Sequence, residues 1–332
     1  MNTKIKTAEF VSPMHPDKIC DRISASILDE CLKQDPNSRV AIETLGGHKK
    51  IVVMGEITTN AKLNFKKIIE DEINDNSFDI SINIVNQSPS IATGVDNGGA
   101  GDQGIMVGYA CNNTINFMPL EYNLARDLCQ WIYRAYPNDG KIQITIEDNK
   151  FKKILVSWCG VKKDNLERRI NYWFFKLSKT SNSTAKTNDY ELLINPSGDW
   201  DIGGFDADTG LTGRKIVIDS YGPEVPVGGG AFSGKDPTKV DLSGALMARK
   251  IAVETLKSTN SNEVVVKVVY AIGKPKPIQL SIKADDREID ISEDLINHFI
   301  PKNIFQELNL KKPQYKELSK WGHFGNNSLW DN

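Results

Sequence analysis

Gly228-Gly229-Gly230-Ala231-Phe232-Ser233-Gly234-Lys235-Asp236-Pro237-Thr238-Lys239-Val240-Asp241 is the stretch around which the chain is organised. Three consecutive glycines and a fourth at Gly234 leave backbone N–H groups unshielded by Cβ atoms. Glycine also reaches the φ values that let a loop wrap closely round an anion. Lys235 and Lys239 add two positive charges. Residues 241–256 read as an amphipathic helix, whose N-terminal dipole points at the same place. The physical content is a polyphosphate cradle. Asp236 and Asp241 stand among the cations, and carboxylates beside phosphates point to a bridging divalent metal such as Mg²⁺.

Two rival readings of the stretch stay open. A Gly-rich run ahead of a helix also serves as a mobile connection. Residues 229–235 fit G-x-x-x-x-G-K, the P-loop pattern. Against it, Asp236 stands where a P-loop places the Ser or Thr that holds Mg²⁺, and no apolar strand leads in.

The surrounding 332 residues are enough for two or three domains with a sizeable core. Hydrophobic content of 39% and charged content of 25% are those of a globular protein in water. A net charge of −2 offers no broad nucleic-acid or membrane surface, so an anion site must be local. No apolar run approaches a membrane span, and the N-terminus has no signal-peptide core. Cys20, Cys31, Cys111, Cys129 and Cys159 are scattered and odd in number. They read as reduced thiols in a cytoplasmic protein.

Along the chain, residues 16–34 show helical spacing, 39–45 and 51–57 read as a strand pair joined through Gly46-Gly47, 61–73 as a helix and 80–85 as a strand. The order recurs as strand 105–110, helix 120–136, strands 142–146 and 154–158, helix 166–177 and strand 190–194. A third pass takes strand 215–219, helix 241–256, strands 263–272 and 278–282, and helix 294–299 with a continuation after Pro301. The fold class is therefore α+β, with three β-α-β-β-α-β units of about 100–120 residues. Each sheet would be covered by helices on one face and need a partner on the other. Residues 180–189 are polar and read as a surface loop.

Further motifs carry chemistry. In His15-Pro16-Asp17-Lys18 the proline suits a first helical turn and Asp17 its positive end, as in any helix start. His15 can also donate to a leaving polyphosphate. Glu43 and Glu56 sit in otherwise apolar strands, so each is either solvent-facing or paired. Gln87-Ser88-Pro89, Gly99-Ala100-Gly101-Asp102-Gln103-Gly104 and Asp139-Gly140-Lys141 follow. Then come residues 195–204, with Trp200 offering a ring to stack on a base, and Asp208 ahead of Gly210-Leu211-Thr212-Gly213-Arg214-Lys215. Two adjacent cations beside Gly213 form either a solvated edge or a phosphate contact. Trp321-Gly322-His323-Phe324-Gly325 closes the series.

In order and over residues 15–325, these motifs resemble those of the S-adenosylmethionine synthetases (methionine adenosyltransferases). The resemblance implies three α+β domains about a pseudo-threefold axis, here 1–98, 99–199 and 200–332 with strand exchange between them. It implies a homodimer, or a tetramer of two, with active sites between subunits. The reaction implied joins ATP and L-methionine into S-adenosylmethionine and hydrolyses the triphosphate to phosphate and diphosphate. Carried over by motif, the catalytic group is His15, Lys141, Arg214, Lys215, Lys235 and Asp102. ATP would also meet Asp139, Trp200, Asp208 and Ala231, and methionine Glu56, Gln87, Asp102, Asp208 and Lys239. Asp17 and Asp241 would hold Mg²⁺, two ions per site, and Glu43 a K⁺ ion.

Three departures stand out. Met14 replaces a glycine that often precedes the histidine, and Asp199 takes the place of an arginine, whose ATP role is not carried over. Only Asn97 and Gly98 separate Asp96 from Gly99, where longer members insert a mobile lid. Two other classes remain: a P-loop-like kinase or ATPase, and a catalytically silent homologue serving as a subunit partner.

Overall fold

The structure, a computed structural model, describes residues 4–87, 98–179 and 190–332. It contains three four-stranded sheets. In the first, the hairpin β2 (Arg39–Gly47) and β3 (Lys50–Thr58) is flanked by β4 (Asp79–Val85), parallel to β3, and β9 (Gly210–Leu211), antiparallel to β2. The second has the order β1 (Ile5–Val11), β6 (Gly140–Glu147), β7 (Lys150–Trp158), β8 (Glu191–Ile194). The third runs β12 (Arg287–Glu288), β11 (Gln279–Ala284), β10 (Glu263–Tyr270), β5 (Gly104–Cys111). Each third of the chain thus lends one edge strand to another third's sheet. The N-terminal β1 pairs with β6, the central β5 with β10, and the late β9 with β2.

Helix α1 (Pro16–Gln34) starts where the sequence indicates, with Pro16 in the first turn and the His15 side chain accepting from Asp17 N–H. Its apolar Ile19, Ile23, Ile27 and Leu28 are buried, and so are Asp17, Lys18, Asp21 and Ser24 on its polar side. A helix buried all round carries its polar face into the core, where every group needs a partner. Helix α1 lies on β2 and β9 of the first sheet with α2 (Phe65–Ile73) packed against it, and α3 (Leu120–Tyr133) and α4 (Lys163–Leu177) serve the second sheet. Helix α5 (Ile216–Asp219) is a single turn, and α6 (Val240–Thr259) lies on β5 and β10. There a Cβ on Gly108 would meet the Ala248 carbonyl at 2.1 Å. Helices α7 (Glu293–His298), α8 (Pro301–Glu307) and α9 (Tyr315–Trp321) complete the chain, α9 packing on α1.

Four local readings need correction. Residues 215–219 are not a strand: Asp219 N–H and Ser220 N–H bond back to Lys215 and Ile216 carbonyls, making α5. The third sheet's opening strand is β5 instead. The first hairpin turns at His48-Lys49, both at positive φ, as a right-handed twist favours. Gly46 lies within the strand because a Cβ there would strike the Phe205 ring at 2.4 Å. Helix α2 begins only at Phe65, where Asn64 caps Lys67 N–H. Strand β1 and helix α9 were not anticipated, although Ala8, Glu9 and Phe10 of β1 alternate between burial and partial exposure. Residues 180–189 and the shortened loop at Asp96-Asn97 lie outside the described residues.

Candidate active site

Two clusters of charge are assembled, and the first gathers at the N-terminus of α1. Asp17, 1% exposed, accepts Leu211 N–H at 2.9 Å on Oδ1 and the Lys215 ammonium at 2.5 Å on Oδ2. Arg214 Nε stands 3.6 Å from the same carboxylate. Burial pushes the Asp17 carboxyl up, but the hydrogen bonds from Lys215 and Leu211 outweigh it and hold it below the ordinary range. It is therefore ionised at neutral pH. The His15 pKa is lowered to about 4, first by burial and then by Lys215 and Lys141, against the pull of Asp17 and Asp208. His15 is thus neutral, in the electrostatic reach of Lys215, Asp17, Lys141 and Asp208. Asp139 receives Gly204 N–H at 2.9 Å, and burial raises its carboxyl pKa. Lys141 projects from β6 toward Glu9, 3.4 Å away.

The second cluster belongs to the glycine-rich stretch. Lys235 Nζ donates to Asp241 Oδ2 at 2.6 Å, and Asp241 lies in the first turn of α6. A Cβ on Gly230 would come within 2.3 Å of the Asp241 carboxyl carbon, so the bare glycine lets the loop close on that carboxylate. Lys235 also bridges to Ala41 of β2, and burial raises the Glu43 carboxyl while Lys235 lowers it. Ala231 touches the other group through Gly213, whose Cβ would meet the alanine methyl at 2.6 Å. The two motifs meet there.

Asp236 belongs to neither cluster. It is fully buried, and its oxygens accept the backbone N–H of Val40 and Thr238 and the ammonium of Lys239. It fastens the loop to β2 and presents no free oxygen to a metal. Lys239, taken above to face methionine, has its ammonium on Asp236 in this conformation. Glu56 lies on the face of β3 away from the helices, across from Ala41. Gln87 donates its N–H to Thr58 Oγ1 and keeps a buried side-chain oxygen without a partner. Asp102 and Asp208 are exposed, each capping the next residue's N–H. Trp200 is half-buried and accepts Gly160 N–H on its carbonyl. Asp199 accepts from Asn195 Nδ2 at 3.1 Å, so the reversed charge serves a local turn. Among the described residues, no side-chain hydrogen bond or ion pair joins Glu56, Gln87, Asp102 or Trp200 to either cluster.

Sequence reasoning singled out Asp17 but not Asp21, whose Oδ1 accepts Gly213 N–H at 2.9 Å. Two acids four apart on one helix were the available signal. Residues 222–239 hold no strand, and α6 starts five residues beyond Lys235. That removes the P-loop, whose lysine sits at the helix start behind a strand. Among the described residues no three His, Cys, Asp or Glu side chains converge on one point. Asp17 and Asp241 each stand beside a lysine, and a Mg²⁺ ion arriving with phosphates would take the oxygen that the lysine holds. A cavity of about 880 Å³ against Leu120, Leu124, Leu318 and Trp321 holds none of these residues. Gly228, Gly230 and Asp241 line a separate small pocket with Met106 and Phe232, while Lys215 and Lys235 are only partly exposed.

Family models of the S-adenosylmethionine synthetase N-terminal, central and C-terminal domains match residues 3–97, 97–200 and 202–332. The S-adenosylmethionine synthase of Brachyspira hyodysenteriae is 39% identical over 368 aligned positions, covering 96% of this chain and 92% of the relative. That of Mesoplasma florum is 38% identical over 366 positions, covering 99% and 97%. That of Clostridium tetani is 38% identical over 371 positions, covering 97% and 94%. Each alignment is longer than the 332 residues here, so the relatives carry residues that this chain lacks.

Proposed function

The chain belongs to the S-adenosylmethionine synthetase family, and on that premise we propose how its own residues carry the reaction. It is a methionine adenosyltransferase, a transferase that makes S-adenosylmethionine from ATP and L-methionine. The family depends in general on Mg²⁺ and K⁺. The observation that carries the residue assignment is the Asp17–Lys215–Arg214 group beside a neutral His15.

The methionine thioether needs no deprotonation, so no general base is required. Its sulfur lone pair forms a bond to C5′ of ATP as the C5′–O bond breaks, and the electron pair leaves with the triphosphate. Negative charge grows on the departing oxygen, and preorganised donors lower that barrier. His15, Lys141, Arg214, Lys215 and Lys235 are those donors. A neutral His15 donates one hydrogen bond without competing with the lysines for charge. Asp139, Asp208, Trp200 and Ala231 frame the rest of ATP. Glu56, Gln87, Asp102, Asp208 and Lys239 receive methionine, the lysine exchanging Asp236 for substrate. Two Mg²⁺ ions, on Asp17 and Asp241, would supply charge neutralisation for the triphosphate, and K⁺ would rest on Glu43. Water then cleaves the triphosphate to phosphate and diphosphate.

Glu43 and Glu56 share a sheet face that no helix among the described residues covers, with Leu45 and Met54 beside them. That supports a homodimer, or a tetramer built from it, with sites completed between copies. We place the protein in the cytoplasm; among the described residues no helix is long and apolar enough to cross a membrane. Incubation with ATP, L-methionine, Mg²⁺ and K⁺ tests the activity by the appearance of S-adenosylmethionine. ADP formed without methionine would instead support a kinase or ATPase, and no turnover a silent homologue.

A further inference from the structure

We propose that Lys18, Asp21 and Asp219 are positioning residues, a buried relay that fixes the backbone at residues 213–215 so that Arg214 and Lys215 address the leaving triphosphate. The proposal rests on the reading of those two cations given above. Arg214 and Lys215 ride on long flexible stems, so their aim depends on the backbone beneath them.

That backbone is read from below by α1. Asp17 Oδ1 accepts Leu211 N–H and Asp21 Oδ1 accepts Gly213 N–H, both at 2.9 Å. The match is geometric. Four residues of helix advance ~6 Å, and the chain leaving β9 runs into the turn at residues 212–215 alongside them. Acids at i and i+4 therefore meet amides at j and j+2. Between them, Thr212 Oγ1 lies 2.8 Å from Ser24 Oγ and accepts Thr44 N–H at 2.9 Å. The turn is held along its whole length.

Asp21 can accept strongly only while ionised, and it is fully buried. Lys18 supplies the countercharge: its ammonium, 1% exposed, donates to Asp21 Oδ2 at 2.9 Å and to Asp219 Oδ1 at 2.6 Å. Asp219 ends α5, which Lys215 caps, and its N–H donates to the Lys215 carbonyl at 2.8 Å. The relay therefore grips the dicationic turn on both sides.

The test is a double-mutant cycle in the full-length enzyme. Asp21→Asn is made alone and in a Lys215→Met background, and kcat and KM are measured for each protein that unfolds cooperatively on heating. If Asp21→Asn fails to fold, Asp219→Asn reads the same relay from its other end. The expected result is a 10- to 100-fold fall in kcat with the methionine KM within about twofold. Inorganic tripolyphosphate, used as a binding probe, should bind correspondingly more weakly. In the Lys215→Met background the second substitution should cost a smaller factor than in the wild type, because one of the two cations it positions is gone and only Arg214 is left to misplace. Equal factors in both backgrounds would show plain loss of stability and overturn the proposal. Full activity of Lys215→Met alone would instead overturn the assignment of that cation, and the relay with it.

Discussion

His323 is fully buried, its Nδ1 has no hydrogen-bond partner in the described structure, and it stands 4.0 Å from Asp219. Burial first, and then Lys18, lowers its pKa to about 3. His15 is lowered to about 4. The unfolded chain binds protons on both rings below their model value of 6.5, whereas the folded chain does not. Stability from these groups is full above that value and is lost as pH falls toward 4 and below. Burial raises Asp21 and Asp219, which works in the opposite direction in the same acid range and is largely common to wild type and a His323 variant. His323→Gln should therefore flatten the fall in melting temperature between about pH 7 and pH 5; an unchanged slope would mean that His323 is not held neutral. At the reacting centre, Asp17→Asn and Asp241→Asn should each lower kcat at least ~10²-fold, the first with a lower melting temperature as well, because it removes the buried partner of the Lys215 ammonium. Near-normal turnover in either folded variant removes that residue from the metal role. Lys18 and Asp21 show why part of the site was not legible. A polar residue within an amphipathic helix reads as solvent-facing until a second layer is known to cover it, and here the layers are residues 211–219 and α9.

At the scale of elements, the glycine-rich stretch was legible as a loop ahead of a helix, but three of its glycines answer to packing. A Cβ on Gly228 would meet the Ile105 carbonyl oxygen at 1.9 Å, one on Gly230 the Asp241 carboxyl carbon at 2.3 Å, and one on Gly234 the Ile42 carbonyl oxygen at 2.2 Å. Gly229, at φ +105°, has nothing within 4 Å of that position. The contrast is testable. Gly229→Ala costs only left-handed backbone strain, about 1–2 kcal/mol. Gly234→Ala adds a collision with backbone that cannot yield and breaks the Ile42 N–H bond to the Gly234 carbonyl, ~3 kcal/mol or more. Denaturant midpoints measure both, and equal costs would deny that Gly234 is a contact point with β2. Helices with a clean apolar stripe were placed within a few residues by periodicity alone. The lending of β1, β5 and β9 to other sheets was not, because strand pairing at a separation of more than 100 residues leaves no local pattern.

For the whole molecule, the decisive feature is the sheet face that the helices leave bare. On the first sheet, Leu45, Met54, Val85 and Leu211 are 36–55% exposed and lie with Glu43 and Glu56 on one side of the pleat. A soluble monomer seldom leaves apolar strand residues together in water, and two carboxylates assigned to K⁺ and methionine share the same surface. Covering it with a second copy would bury the apolar residues and bring Glu56 toward another chain's cations, whereas Glu43 already lies within reach of Lys235 of its own chain. Met54→Asp places a charge in the centre of that face, opposite Glu43 across the hairpin. Because the side chain is exposed in the single chain, the fold should survive, with a melting temperature limited only by lost association. Sedimentation at assay concentration should show the wild type as a dimer or tetramer and Met54→Asp shifted to monomer. S-adenosylmethionine formation should fall in step with the dimer fraction as protein is diluted. A Met54→Asp monomer with full specific activity would mean that each chain carries a whole site, and Glu56 would have to be reassigned.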